Sequence, residues 1–212
     1  MRLASARVDS DRPMASEAAP GLKVVFDWDD VFWSSWEKVT DVLGVDREKW
    51  VDYHIAENEL YTPTERKAIL ELLGAAETYQ EMKLFPGLEE MHRLWDEIGG
   101  FFINSNCYAK EVAELKREQI RAALPMLGEE RLRLNLVTPK AAKKPLDADT
   151  YILVDDNPYN IADSPAKINI VPRHPWNTTA KAGELMRGKD VRFVEREDLR
   201  ALANAVRSAL SG

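Results

Sequence analysis

The chain predicts an α/β fold: a largely parallel sheet flanked by helices, with a small helical cap inserted after the first strand. Two observations carry that expectation. Short runs of β-branched and apolar residues recur along the chain, and some, such as Val24-Val25-Phe26 and Ile152-Leu153-Val154, are apolar throughout, as strands buried on both faces are. Segments with apolar residues at helical spacing separate most of these runs, and strands alternating with helices build parallel sheets.

Strands are expected at 23–27, 101–105, 133–138, 151–155, 168–171 and 191–194. Leu88, Met91, Leu94, Trp95 and Ile98 fall on one face of a helix, and Gly99-Gly100 supplies its stop. Val112, Leu115, Ile120, Ala123 and Leu124 repeat the pattern before Pro125, and Leu199, Leu202, Ala203, Val206 and Leu210 form the last stripe. From Phe32 to about Lys83 the alternation breaks. The pattern there is helical and rich in aromatic residues, including Trp33, Trp36, Trp50, Tyr53 and Tyr61. The organisation expected is a core of residues 22–31 and 84–212 with a helical cap at 32–83. An insertion at that point lies where the carboxyl end of a parallel sheet opens to ligand. Residues 1–21 are rich in Ala, Ser, Pro and mixed charge and lack the apolar segment of a secretory signal. They read as a disordered leader, with Met14 a candidate initiator.

Composition narrows the function. The 212 residues are 45% hydrophobic and 31% charged, enough for a sizeable core in one large domain or a domain with a small accessory unit. No run approaches the roughly 18 apolar residues that span a bilayer. With 36 acidic against 29 basic residues, a net charge of −7 and no dense Lys/Arg block, neither polymeric nucleic acid nor a membrane is the expected partner. A single cysteine, Cys107, fits a reducing, cytoplasmic compartment. The three histidines, His54, His92 and His174, stand far apart and argue against a zinc site.

Three strands end in polar residues of one kind: Asp27-Trp28-Asp29-Asp30, Asn104-Ser105-Asn106 and Asp155-Asp156-Asn157. In a parallel sheet these ends share an edge, so Asp27, Asp29, Ser105, Asp155 and Asp156 are expected to converge. Two carboxylates about 4 Å apart repel by about 4 kcal/mol at an effective dielectric of about 20, so the group needs a cation. Oxygen ligands favour Mg²⁺, whose open positions suit a phosphate oxygen. Phosphoryl transfer then assigns roles. Asp27, rigid at a strand end, is the candidate nucleophile, forming an aspartyl-phosphate. Asp29 is the candidate acid and base. Ser105, with Asn106 beside it, is a candidate holder of a phosphoryl oxygen. A lysine upstream of Asp155 would neutralise transition-state charge, with Lys144 the first choice and Lys143 and Lys140 as substitutes.

This ordered set resembles the haloacid dehalogenase (HAD) superfamily of aspartate-nucleophile phosphatases. Asp27 and Asp29 match its first motif, Ser105 the second, Lys144 the third, and Asp155 with Asp156 the fourth, each beside an apolar strand. A narrower resemblance is to the 5′(3′)-deoxyribonucleotidases. It rests on the helical insertion, Phe85-Pro86-Gly87, the Leu153–Pro158 stretch and the pair Trp176-Asn177. The resemblance implies a Rossmann-like HAD core and Mg²⁺-dependent hydrolysis of deoxynucleoside monophosphates, with an aromatic cap reading the base. The alternatives are a HAD phosphatase for another small phosphorylated metabolite, or a catalytically silent module that binds a phosphate ligand. The chain departs from the family pattern at Asp30, where glycine is common, and in its crowded lysines.

Several of these residues carry a plainer reading as well. Ser105 could cap a helix beginning near Tyr108, and Asp155-Asp156-Asn157-Pro158 could be a turn and helix cap. Trp33 and Trp36, at helical spacing, could be core residues rather than substrate contacts, and Trp33 is the one taken as a candidate for binding. Cys107 reads as a spectator thiol.

Overall fold

A computed structural model describes residues 22–80, 82–137 and 145–212. The expected leader and Lys140, Lys143 and Lys144 lie outside the described residues. Six strands form one sheet: β1 Lys23–Phe26, β2 Phe102–Cys107, β3 Leu132–Leu136, β4 Thr150–Val154, β5 Ile168–Pro172 and β6 Val191–Val194. All pairs are parallel, in the order β3-β2-β1-β4-β5-β6. The chain builds outward from β1 in one direction and then, from β4, in the other. The carboxyl ends of β1 and β4 therefore flank the point where the winding reverses, the place where open α/β sheets bind ligands.

The period of two along each strand sends alternate side chains to opposite faces. Val24 and Phe26 join Ile103, Ile152, Val154 and Ile170 in the larger core. That core is closed by α3 Leu88–Ile98, α4 Lys110–Ala123 and α7 Leu199–Leu210. Val25, Leu153 and Val171 face the other way, against α5 Pro158–Asp163 and α6 Ala180–Leu185 through Ile161 and Ala182. The stop expected after α3 is real: Gly99 and Gly100 have φ of +72° and +101°, which side chains disfavour.

Two boundaries differ from the sequence expectation, with consequences for the site. β2 runs on to Cys107, so Ser105 and Asn106 are strand residues rather than a strand's end. Helix α4 starts at Lys110 after Ala109, which leaves Ser105 no part in capping it.

Between β1 and α3 the regular elements among the described residues are helical, with two isolated bridges at Trp33 besides. It holds α1 Ser35–Leu43, α2 Pro63–Leu73 and three short 3-10 turns. Ser34 caps α1 by accepting from the Glu37 N–H, and Thr62 and Glu65 form a reciprocal cap on α2 with Pro63 in its first turn. The insert has its own core of Trp36, Val39, Trp50, Ile55, Tyr61 and Ile69, completed by Trp176 from the turn after β5. Trp33 precedes α1, so it and Trp36 do not share a helical face. Among the described residues, no helix is long and apolar enough to cross a membrane.

Candidate active site

The strands deliver the acids. Beyond β1, the Asp27 N–H still donates to the Val154 carbonyl at 2.8 Å, which fixes its backbone as part of the ladder. Its Oδ1 accepts the Trp28 N–H at 2.7 Å, and Trp28 is buried and stacked on Phe32 at 4.7 Å. Beyond β4, the Asp155 N–H donates to the Ile170 carbonyl. Asp155 Oδ1 accepts the Asn157 N–H at 2.9 Å, and Asn160 Nδ2 donates to its Oδ2 at 3.1 Å. Asn157 also caps α5, accepting from the Tyr159 N–H with Pro158 in the first turn. The capping reading thus holds for Asn157, while its neighbours turn inward.

Asp27, Asp155 and Asp156 are buried, and each offers an oxygen within 4.8 Å of those of the other two. The donors named above are neutral N–H groups. Three hard oxygen donors fit Mg²⁺ rather than a softer metal. Asp29 stands outside this triad, which departs from the expectation that its carboxylate is a ligand. Its Oδ1 accepts the Trp33 indole N–H at 3.0 Å and its Oδ2 accepts the Lys116 ammonium.

Sequence reasoning missed Lys116. It is fully buried on α4, and besides Asp29 its Nζ donates to the Asn106 carbonyl at 2.7 Å and to Ser105 Oγ at 3.4 Å. The signal was present: Val112, Ala113, Lys116, Ile120 and Ala123 form the buried face of α4, so one lysine lies on an apolar stripe. A lysine there needs a partner. Burial pulls its pKa down, but Asp29 facing it more than compensates and the net shift is upward. Asp29 is also shifted up, because loss of water and Asp27 nearby outweigh Lys116.

Asp30 has φ +56°, in the left-handed region that glycine adopts at least cost. The aspartate is put to use. Its carboxylate accepts the Ser35 N–H at 2.9 Å, the Ser35 hydroxyl at 2.7 Å and the Trp36 N–H, tying the loop to the start of α1. Burial, with Asp29 beside it, pushes its carboxyl up to about 7 against those bonds. Its carbonyl accepts His174 Nε2–H at 2.9 Å.

A cavity of about 60 Å³ sits over the acids. Asp27, Asp29, Asp30, Asp156 and Asn106 line it below, and Trp50, Tyr53, Leu73, Tyr79, Tyr108 and Trp176 line its walls. Trp33 is not among the lining residues; it packs edge-on to Tyr79 at 5.4 Å and holds Asp29, so its expected contact with substrate gives way to a supporting role. Ser105 is fully buried beneath the cavity, beside Lys116. Asn135 on β3 donates to the Asn106 side-chain oxygen at 3.3 Å and to that of Asn104 at 2.7 Å, steadying this stretch. Cys107 is buried with its thiol pushed up to about 11, chiefly by burial, in keeping with a spectator.

No family model matches the sequence, and no curated protein matches it. Among solved structures, a hydrolase from Pseudomonas syringae superposes with a TM-score of 0.51 at 12% identity, over 89% of this chain and 99% of that one. A phosphonoacetaldehyde hydrolase-like protein from Oleispira antarctica superposes at 0.49 with 11% identity, covering 99% and 97% of the two chains. For a haloacid dehalogenase-like family hydrolase from Xanthomonas campestris the score is 0.47 at 15% identity, covering 90% and 97%. The match to almost the whole Pseudomonas chain shows that this chain shares its α/β fold.

Proposed function

We propose that the protein is a Mg²⁺-dependent phosphatase that hydrolyses a phosphate monoester through an aspartyl-phosphate, with a nucleoside monophosphate as the preferred class of substrate. The observation that carries this reading is the meeting of Asp27, Asp155 and Asp156 at the switch point of the sheet, with the Asp29–Lys116 pair beside them. Bound by Asp27, Asp155 and Asp156, Mg²⁺ would neutralise carboxylate and phosphoryl charge.

The remaining chemistry belongs to the chain. Asp27 attacks phosphorus from a backbone locked to β4, and the P–O bond to the leaving group breaks. Asp29, held by Trp33 and Lys116, gives the departing oxygen its proton. It then takes one from the water that attacks the aspartyl-phosphate, releasing phosphate and restoring Asp27. Lys116 offsets negative charge on the transferring group. The insert keeps bulk water from the intermediate.

A panel of nucleoside monophosphates tests the reading by phosphate release with Mg²⁺ and with EDTA. Release is expected from wild type with Mg²⁺ only, and Asp27→Asn should lower it by about 10³-fold or more. Undiminished release by that variant overturns the mechanism. The cavity volume favours a second reading. About 60 Å³ is well below the roughly 300 Å³ at which pockets for drug-sized ligands begin. A small phosphorylated metabolite asks less opening of the insert than a nucleotide does. Preference across a panel extended to small sugar phosphates separates the two.

A further inference from the structure

The turn after β5 grips Asp156 twice. Asn177 Nδ2 donates to the Asp156 carbonyl at 3.0 Å and to the Pro172 carbonyl at 2.7 Å, holding the main chain. The Trp176 indole Nε1–H donates to Asp156 Oδ2 at 3.1 Å, with both residues buried. The indole is itself fixed. It stacks on His174 at 4.4 Å with the rings 5° apart, and the insert presses Trp36 against it at 5.4 Å and Trp50 at 5.9 Å.

A carboxylate with a fixed N–H on one oxygen keeps its plane. The oxygen Asp156 offers then stays within reach of those from Asp27 and Asp155. Donors that stand behind a metal ligand in this way orient it and tune affinity without touching the ion. We propose that Trp176 is a positioning residue for a divalent-cation site of Asp27, Asp155 and Asp156, acting through the Asp156 carboxylate. The inference rests on the metal-dependent reading above. It competes with a packing role alone, in which the ring merely fills the boundary between insert and core.

Trp176→Phe separates the two, because it keeps an aromatic ring and deletes the N–H. Mg²⁺ alone is titrated by calorimetry into metal-free wild type and variant, without substrate. The variant is expected to bind Mg²⁺ roughly 10- to 100-fold more weakly, with its melting temperature in EDTA close to that of wild type. Equal affinity overturns the proposal and leaves the metal reading intact. Absence of Mg²⁺ binding by wild type sinks the metal reading, and the proposal with it. If the variant melts far below wild type in EDTA, the indole N–H resonances of wild type decide. The Trp176 signal must shift as Mg²⁺ is added, and an unmoved signal overturns the proposal.

Discussion

Lys116 is the residue on which the site's electrostatics turn, since it meets Asp29, Ser105 and Asn106 from within the core. Removing one partner of a buried pair strands the other, at a cost of about 3–5 kcal/mol. Lys116→Met is therefore expected to lower stability by that order in chemical denaturation and to slow phosphate release by about 10²–10³-fold. Asp30 makes a separate prediction. Asp30→Ala loses the bonds to Ser35 and sets a methyl in the left-handed region, so it should cost about 2 kcal/mol, and Asp30→Gly about 1 kcal/mol less. His174 gives a pH test. It is buried among the Asp30 carbonyl, the Trp36 and Trp176 rings and Arg196, and its pKa is lowered to about 3, first by burial. The unfolded chain takes up this proton near pH 6.5 and the native state does not. The contribution of neutral His174 is whole above that pH and is lost as the pH falls toward 3. The stability difference between wild type and His174→Gln should then shrink by about 2 kcal/mol between pH 7 and pH 5, measured by urea denaturation at each pH. None of these three roles follows from residue type alone. The sequence marked Asp30 as a departure and placed Lys116 on an apolar stripe, but their partners lie in other elements.

At the scale of elements, the helical insert meets the rest through both apolar and charged contacts. Its aromatic core meets Trp176, and Lys181 on α6 reaches Asp52 at 2.6 Å and Glu57 at 3.6 Å across the boundary. Lys181 is more than half exposed, so the pair adds little to global stability, about 0–1 kcal/mol. Lys181→Ala should leave the melting temperature within a few degrees of wild type and speed amide exchange in residues 45–60. Unchanged exchange there would mean that the remaining contacts hold the insert without Lys181. The expected helical character of this segment follows from spacing, and three of the core helices match their stripes closely. The end of β2 was harder to read. Asn104-Ser105-Asn106 has turn composition, yet pairing with β3 keeps it extended through Cys107. Pairing with a neighbour outweighs local preference in a sheet.

Across the whole molecule, the fold class was legible because both signals behind it, apolar runs and helical stripes, are local. The convergence of Asp27, Asp155 and Asp156 was legible too, since one topological rule puts the carboxyl ends of parallel strands on a common edge. Finer geometry was not, because the turn of each carboxylate depends on partners such as Trp33 and Trp176 that the rule does not place. If the triad holds Mg²⁺, the native state alone offers the assembled ligands, and ion saturation shifts the global equilibrium. At 100 times the dissociation constant the gain is about 2.7 kcal/mol, so the melting temperature should rise with added Mg²⁺, and an unchanged curve at saturating ion would contradict direct binding. The pairing of β1 with β4 carries a consequence for biosynthesis. Lys23 lies against Thr150, and Phe26 against Val154, so the sheet's central seam joins an early segment to a late one. A nascent chain that has not yet delivered Val154 from the ribosome holds Asp27 without either of its companion acids. The three acids thus meet only after the chain through Asp156 has left the ribosome and the seam has closed.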